Sequence, residues 1–125
     1  MRWIKELLVV GDRVLIAPEE GEQTTETGLY LPPTVKEKEK VSSGYVVKVG
    51  PGYAIPGPFE EEPWRERPTV RYVPLQAEEG DYAMFLKEQA VEIVYEGKKY
   101  FVVPQSAILV LVRTRFEADS EEAEP

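Results

Sequence analysis

Cysteine and histidine are both missing from the 125 residues. Without cysteine the chain has no disulfide framework, no thiolate nucleophile and no thiolate metal ligand, and a reducing compartment suits it. Without histidine it lacks the side chain that most often moves protons near neutral pH and most often holds zinc. Long apolar runs are missing too. In the opening MRWIKELLVV, Lys5 and Glu6 leave only residues 7–10 uninterrupted, far too little for a signal sequence or a membrane span. Positive charge is scarce: 15 basic against 23 acidic residues give a net charge of −8, which repels phosphate backbones and anionic headgroups. The expectation is a cytoplasmic, soluble protein with neither nucleic acid nor membrane as partner, and not an enzyme of the common classes.

What is abundant is strand signal. Residues 12–17 (DRVLIA), 44–49 (GYVVKV), 81–86 (DYAMFL), 91–95 (VEIVY), 99–103 (KYFVV) and 107–112 (AILVLV) are rich in β-branched and aromatic residues. Between them lie turn residues such as Gly50-Pro51-Gly52, Glu79-Gly80 and Glu96-Gly97. A chain of this length folds as one domain, and six short strands predict an all-β barrel or sandwich. In VEIVYEGKKYFVV, Val91, Ile93 and Tyr95 alternate with Glu92, Val94 and Glu96, and Gly97 supplies the positive φ of a tight hairpin. Trp3, Ile4, Leu7 and Leu8 have helical spacing but too short a span to hold a helix alone, and a lead-in strand is the equal alternative.

Two segments do not belong to a small barrel. Residues 51–80 hold six of the eleven prolines with Tyr53, Phe59, Trp64 and Tyr72, and are read as an excursion folding over the barrel, with Tyr72 and Val73 as a short returning strand. Residues 18–43 run without a convincing strand, a length that marks a functional or disordered loop. The adjacent carboxylates Glu19-Glu20 and Glu60-Glu61-Glu62 have no burial to separate their pKa values, so they read as solvated charge rather than catalytic pairs. No catalytic residue, metal site or cofactor is expected. Residues 116–125 (FEADSEEAEP) are read as an acidic disordered tail.

Within residues 18–43, polar flanks bracket Gly28-Leu29-Tyr30-Leu31. Two readings stand. In one, Leu29 and Leu31 belong to an ordinary strand and face the core. In the other they tip a tethered plug: burying three large apolar side chains in a partner's groove gains roughly 5 to 9 kcal/mol, of which ordering the loop consumes on the order of 2 to 5 kcal/mol. One such arm binds weakly, and several on one ring bind together through effective concentration.

Several of these stretches, in this order, resemble the ten-kilodalton chaperonin family, the GroES-type co-chaperonins. VVGDRVLIAPEE is similar to the family's opening strand around Asp12, Arg13 and Val14. Gly28-Leu29-Tyr30-Leu31 sits where the family has a glycine and an apolar tripeptide, and VSSGYVVKVGPG matches the strand and turn that follow, with Gly44, Val49, Gly50 and Gly52 in place. EEGDYAMF, with Gly80 and Asp81, and the closing EIVYEGKKYFVVPQSAILVLV complete the likeness. Departures are Val9 for a proline, Tyr30 within a tripeptide that is usually aliphatic, Gln89-Ala90 where a glycine is expected, and the long stretch 53–79.

The resemblance implies a small irregular GroES-like β-barrel over residues 1–115, with a mobile loop at about 18–43 and a roof-like excursion at about 51–80. It implies a co-chaperonin that caps a GroEL-type chaperonin ring and assists protein folding, with Gly28, Leu29, Tyr30 and Leu31 as the chaperonin-binding residues. It further implies a homo-oligomer, a heptamer in this family. From the apolar character of the terminal segments, Leu8, Val10, Ile108, Leu109, Val110 and Leu111 are the expected subunit interface. The alternative is an interaction module or paralogue that keeps the fold with a different partner and oligomeric state.

Overall fold

The strand signals become strands with small changes at their ends. A computed structural model describes residues 1–19, 28–29, 40–56 and 71–118. Among these residues the strands run β1 (Arg13–Pro18), β2 (Val41–Val49), β3 (Tyr53–Ile55), β4 (Arg71–Val73), β5 (Tyr82–Leu86), β6 (Val91–Tyr95), β7 (Lys98–Pro104) and β8 (Ile108–Val112). The returning strand at Tyr72 and Val73 forms as β4, and its partner β3 is an element that the sequence did not lead us to expect. The Trp3 to Leu8 segment takes neither form expected of it: residues 1–10 carry no helix and no ladder, and Trp3, Ile4, Leu8 and Val10 are exposed.

Six strands form one sheet in the order β6-β7-β1-β2-β5-β8, and β3 pairs with β4 in a separate hairpin. Every pairing is antiparallel. The all-β class is therefore as expected, but no ladder joins β6 to β8, so hydrogen bonding among the described residues does not close the sheet into a barrel. The sheet nevertheless curls. Strands β5 and β7 stand three spacings apart, about 14 Å in a flat sheet, yet the rings of Phe85 and Phe101 lie 5.5 Å apart, tilted by 60°. Register shifts between Leu15 and Ile16 and between Met84 and Phe85 help, since an extra residue in one strand sharpens local twist.

The concave side holds the core: Val14 and Ile16 of β1, Val46 of β2, Ala83 and Phe85 of β5, Phe101 and Val103 of β7, closed by Ala77 and Ala107. The β6–β7 hairpin forms as its sequence dictates, with Glu96 at φ 52° and Gly97 at φ 79°, the paired positive values that match a two-residue turn to the twist of its strands.

Tight backbone approach explains one glycine in particular. Gly52 has φ +117°, donates its N–H to the Gly11 carbonyl at 3.0 Å, and a Cβ placed on it would lie 1.9 Å from the Val73 carbonyl oxygen. Gly52→Ala is expected to cost about 3 kcal/mol or more, from backbone strain plus displacement of β4. Gly80, at φ +96° with open space around it, is the control. Its alanine variant carries the strain alone, so denaturant melts should rank Gly52→Ala well below Gly80→Ala.

Candidate functional site

The sequence between β1 and β2 leaves the sheet through two fixed points. On the departing side, the Glu19 N–H donates to the Ser43 carbonyl at 3.1 Å, carrying the β1–β2 ladder one residue past Pro18. On the returning side, the Lys87 N–H donates to the Lys40 carbonyl at 2.7 Å, and Lys40 itself turns with φ 55°. Between them stands Tyr82, buried, its Oη 2.8 Å from Glu19 Oε1 and 2.7 Å from Ser43 Oγ. One phenolic proton serves one acceptor, so Tyr82 donates to the carboxylate and the Ser43 hydroxyl donates back. Burial pushes the phenol up to about 12, with the Glu19 charge adding to the shift, so it stays protonated and remains a donor. The sequence held no signal for this clamp, because Glu19, Ser43 and Tyr82 meet only through the β1–β2–β5 register. Tyr82→Phe is expected to speed amide exchange at Glu19 by about fivefold or more, for the loss of roughly 1 kcal/mol of hydrogen bonding, while the core amides keep their protection.

Of the four residues expected to bind a chaperonin, Gly28 is exposed at φ 85°, with nothing within 4 Å of the point where a Cβ would stand, and Leu29 is half-buried. Tyr30 and Leu31 lie outside the described residues, so the choice between an inward strand and a tethered plug is not made by the fold. The expected assembly residues divide. Leu8 and Val10 are exposed on the N-terminal arm, and Leu109 and Val110 are exposed on β8, an edge strand of the sheet. Ile108 and Leu111 are half-buried and pack against the core. Glu20 and Glu60-Glu61-Glu62 lie outside the described residues, as does the tail from residue 119.

Sequence reasoning also missed the charged clasp behind β8. Asp81, 1% exposed, accepts two hydrogen bonds from Arg113, at 2.8 Å from Nε and 2.7 Å from an Nη, and a third from the Glu78 N–H at 2.8 Å. The same guanidinium donates to the Gln76 carbonyl at 3.0 Å and lies 3.4 Å from the Glu78 carboxylate. Gln105 holds the other side of this connection, accepting from the Ala77 N–H at 2.9 Å. The forked bond from Arg113 outweighs the burial penalty and holds the Asp81 carboxyl below its ordinary value of 3.8. A carboxylate with a depressed folded pKa stabilises the fold above its unfolded value, and that contribution disappears as pH falls through the folded one. Acid unfolding below about pH 4 should therefore be less steep in Asp81→Asn than in the parent, as read by circular dichroism of the sheet.

The geometry provides an anchored loop, an unpaired arm and an open edge, and it provides no group of three or more acidic side chains able to hold a metal among the described residues. Comparison with known proteins gives the same picture a lineage. Residues 6–63 match the family described as the chaperonin 10 kDa subunit. Co-chaperonin GroES of Cutibacterium acnes is 37% identical over 101 residues, covering 81% of this chain and 89% of the relative. Co-chaperonin GroES of Listeria welshimeri is 35% identical over 104 residues, covering 83% and 96%, and that of Nocardia farcinica is 36% identical over 101 residues, covering 81% and 88%. With relatives more than 30% identical over about four fifths of its length and over most of theirs, the chain belongs to the chaperonin 10 kDa family, the GroES co-chaperonins.

Proposed function

We propose that this co-chaperonin caps a GroEL-type chaperonin ring in the cytoplasm and encloses a folding client, with residues 28–31 as the contact. The observation that carries the reading is the pair of fixed roots. The clamp at Glu19 and the turn at Lys40 hold both ends of a 20-residue connection, residues 20–39, whose most apolar stretch is Leu29-Tyr30-Leu31. An apolar tip on a rigidly rooted tether suits a groove that takes extended apolar segments. As a member of a non-enzymatic family, the protein leaves nucleotide hydrolysis to the ring.

Assembly into a homo-oligomer follows from the edge and the arm. Among the described residues, β8 has β5 on one side and no strand on the other, and residues 1–10 have no ladder of their own. An arm that completes a neighbour's sheet joins copies head to tail, and such contacts close into a ring where the rotation between neighbours divides the full turn. The family's heptamer is the proposed ring. Among the described residues no helix is long and apolar enough to cross a membrane. The test is cosedimentation of the purified protein with a GroEL-type ring and nucleotide, alongside its mass in solution. Capture by the ring and a heptameric mass are expected, and a protein left in the supernatant at micromolar concentration overturns the capping role. A second reading, a different partner, is favoured by Tyr53, Tyr72 and Val73, all exposed on the β3–β4 hairpin. Under it, replacing both tyrosines with serine removes pull-down partners while ring capture is absent.

A further inference from the structure

Two consecutive residues hold two different surfaces of the molecule. Asp81 and Tyr82 stand at the start of β5, the strand between β2 and β8, and both are buried. Side chains of consecutive extended residues point to opposite faces, and these two reach separate partners. Tyr82 bonds the Glu19 carboxylate and the Ser43 hydroxyl at the departing root of the loop. Asp81 takes the forked bond of Arg113, the first residue past the edge strand β8.

The backbone that joins them has little freedom. The Asp81 carbonyl accepts from the Val46 N–H and the Gly80 N–H donates to the Val46 carbonyl, both at 2.8 Å, so the pair is fastened to a buried residue of β2. On the other side Tyr82 stands opposite Val112 in the β5–β8 ladder. The Tyr82 ring also packs edge-on against Tyr45 of β2, with centroids 5.0 Å apart. At the root, Pro18 has no N–H to give, so the outermost donor of the departing strand among the described residues is Glu19, the residue that Tyr82 holds.

We infer that Asp81 and Tyr82 act together as positioning residues that tie the loop root to the edge strand, so that engaging β8 in assembly holds the root at Glu19 more firmly. This rests on the proposed assembly through β8 and adds a consequence for the capping loop. A copy within the ring offers a loop with a fixed origin, and a free copy offers one that opens at Glu19 more often. The contacts set this direction. With β8 held on its outer side by a second copy, Arg113 at its end moves less, and the peptide between Asp81 and Tyr82 passes that restraint to the phenol. Coupling works both ways, so loosening the root weakens assembly by the same factor.

Amide exchange at Glu19 in the full chain, above and below the concentration at which copies dissociate, tests this. Assembly should slow that exchange about threefold, a size that coupling through a packed network reaches, and an equal rate in both states overturns the inference. The slowing should vanish in Arg113→Lys, which keeps the charge but loses the fork, and in Tyr82→Phe. Slowing that persists in both assembled variants means that the neighbour shields Glu19 directly, and overturns it too. In the dissociated protein Arg113→Lys should speed exchange at Glu19 about threefold while the Phe85 amide keeps its protection. Asp81→Asn removes the same fork from the other side and repeats the measurement if Arg113→Lys does not fold. Glu78→Gln, which alters an exposed carboxylate 3.4 Å from the same guanidinium, is the control, and an equal effect from it assigns the change to surface charge and overturns the inference. Tyr82→Phe should in turn raise the dissociation midpoint about threefold, and an unchanged midpoint counts against the coupling. If the wild type is a monomer at every concentration, the assembly reading falls by itself, and the tie between clasp and root is decided by Arg113→Lys in the monomer.

Discussion

Leu31→Asp is expected to abolish capture by a chaperonin ring while leaving the melting of the protein unchanged. Leu31 follows Gly28, Leu29 and Tyr30 in the connection between Glu19 and Lys40. A buried leucine contributes about 1.5 to 3 kcal/mol, and an aspartate in an apolar groove adds the penalty of desolvating a charge. The binding surplus of a single arm is only a few kcal/mol once its ordering is counted, so each arm loses most of its affinity. Because the proposed ring binds through all of its arms together, the losses multiply and the decrease exceeds a thousandfold. Cosedimentation with the ring and nucleotide measures the first half, and circular dichroism melting the second. Wild-type capture by the variant would end the plug reading, and a large fall in melting temperature would place Leu31 inside the fold, as the strand reading holds.

The largest stability loss is expected from Phe85→Ala. Phe85 is fully buried on β5, at the centre of the curled sheet and against Phe101. Truncating a buried phenylalanine costs about 3 to 5 kcal/mol because the cavity only partly collapses. Against a typical total of roughly 5 to 15 kcal/mol this is a large share, and the melting temperature should fall by about 10 °C or more. Protein concentration must be matched between variants, since an oligomer's apparent stability depends on it. Phe101→Leu, which keeps most of the volume, should cost less than half as much. Equal losses would mean that the Phe85–Phe101 contact does not seal the sheet.

Strand identity was legible in the chain. Five of the six predicted segments differ from the observed strands by at most one residue at each end, and β2 begins three residues earlier than the motif at Gly44. Alternation and turn residues are local properties, so local reading finds them. Segments without local cause were missed: β3 has three residues and exists because β4 pairs with it, and residues 1–10 carry no ladder among the described residues. Of the candidate site, the tripeptide was visible from composition and the roots that hold it were not. Glu19 and Tyr82 are 63 positions apart, and nothing in either stretch announces the other. Asp81 was singled out as part of a strand opening, but its role as the acceptor for Arg113 depends on β5 lying beside β8.

By itself, the sequence determined the all-β class, the tight turn at Glu96-Gly97, the family and the improbability of acid–base or metal chemistry, since each depends on residue types and short spacings. Tertiary structure decided that the sheet curls without closing its ladder, that Tyr82 and Lys87 hold the two ends of the loop, and that β8 presents an open edge beside an unpaired arm. The reason is that strand order sets which distant residues share hydrogen bonds, and order arises from the packing of the whole core rather than from any one segment.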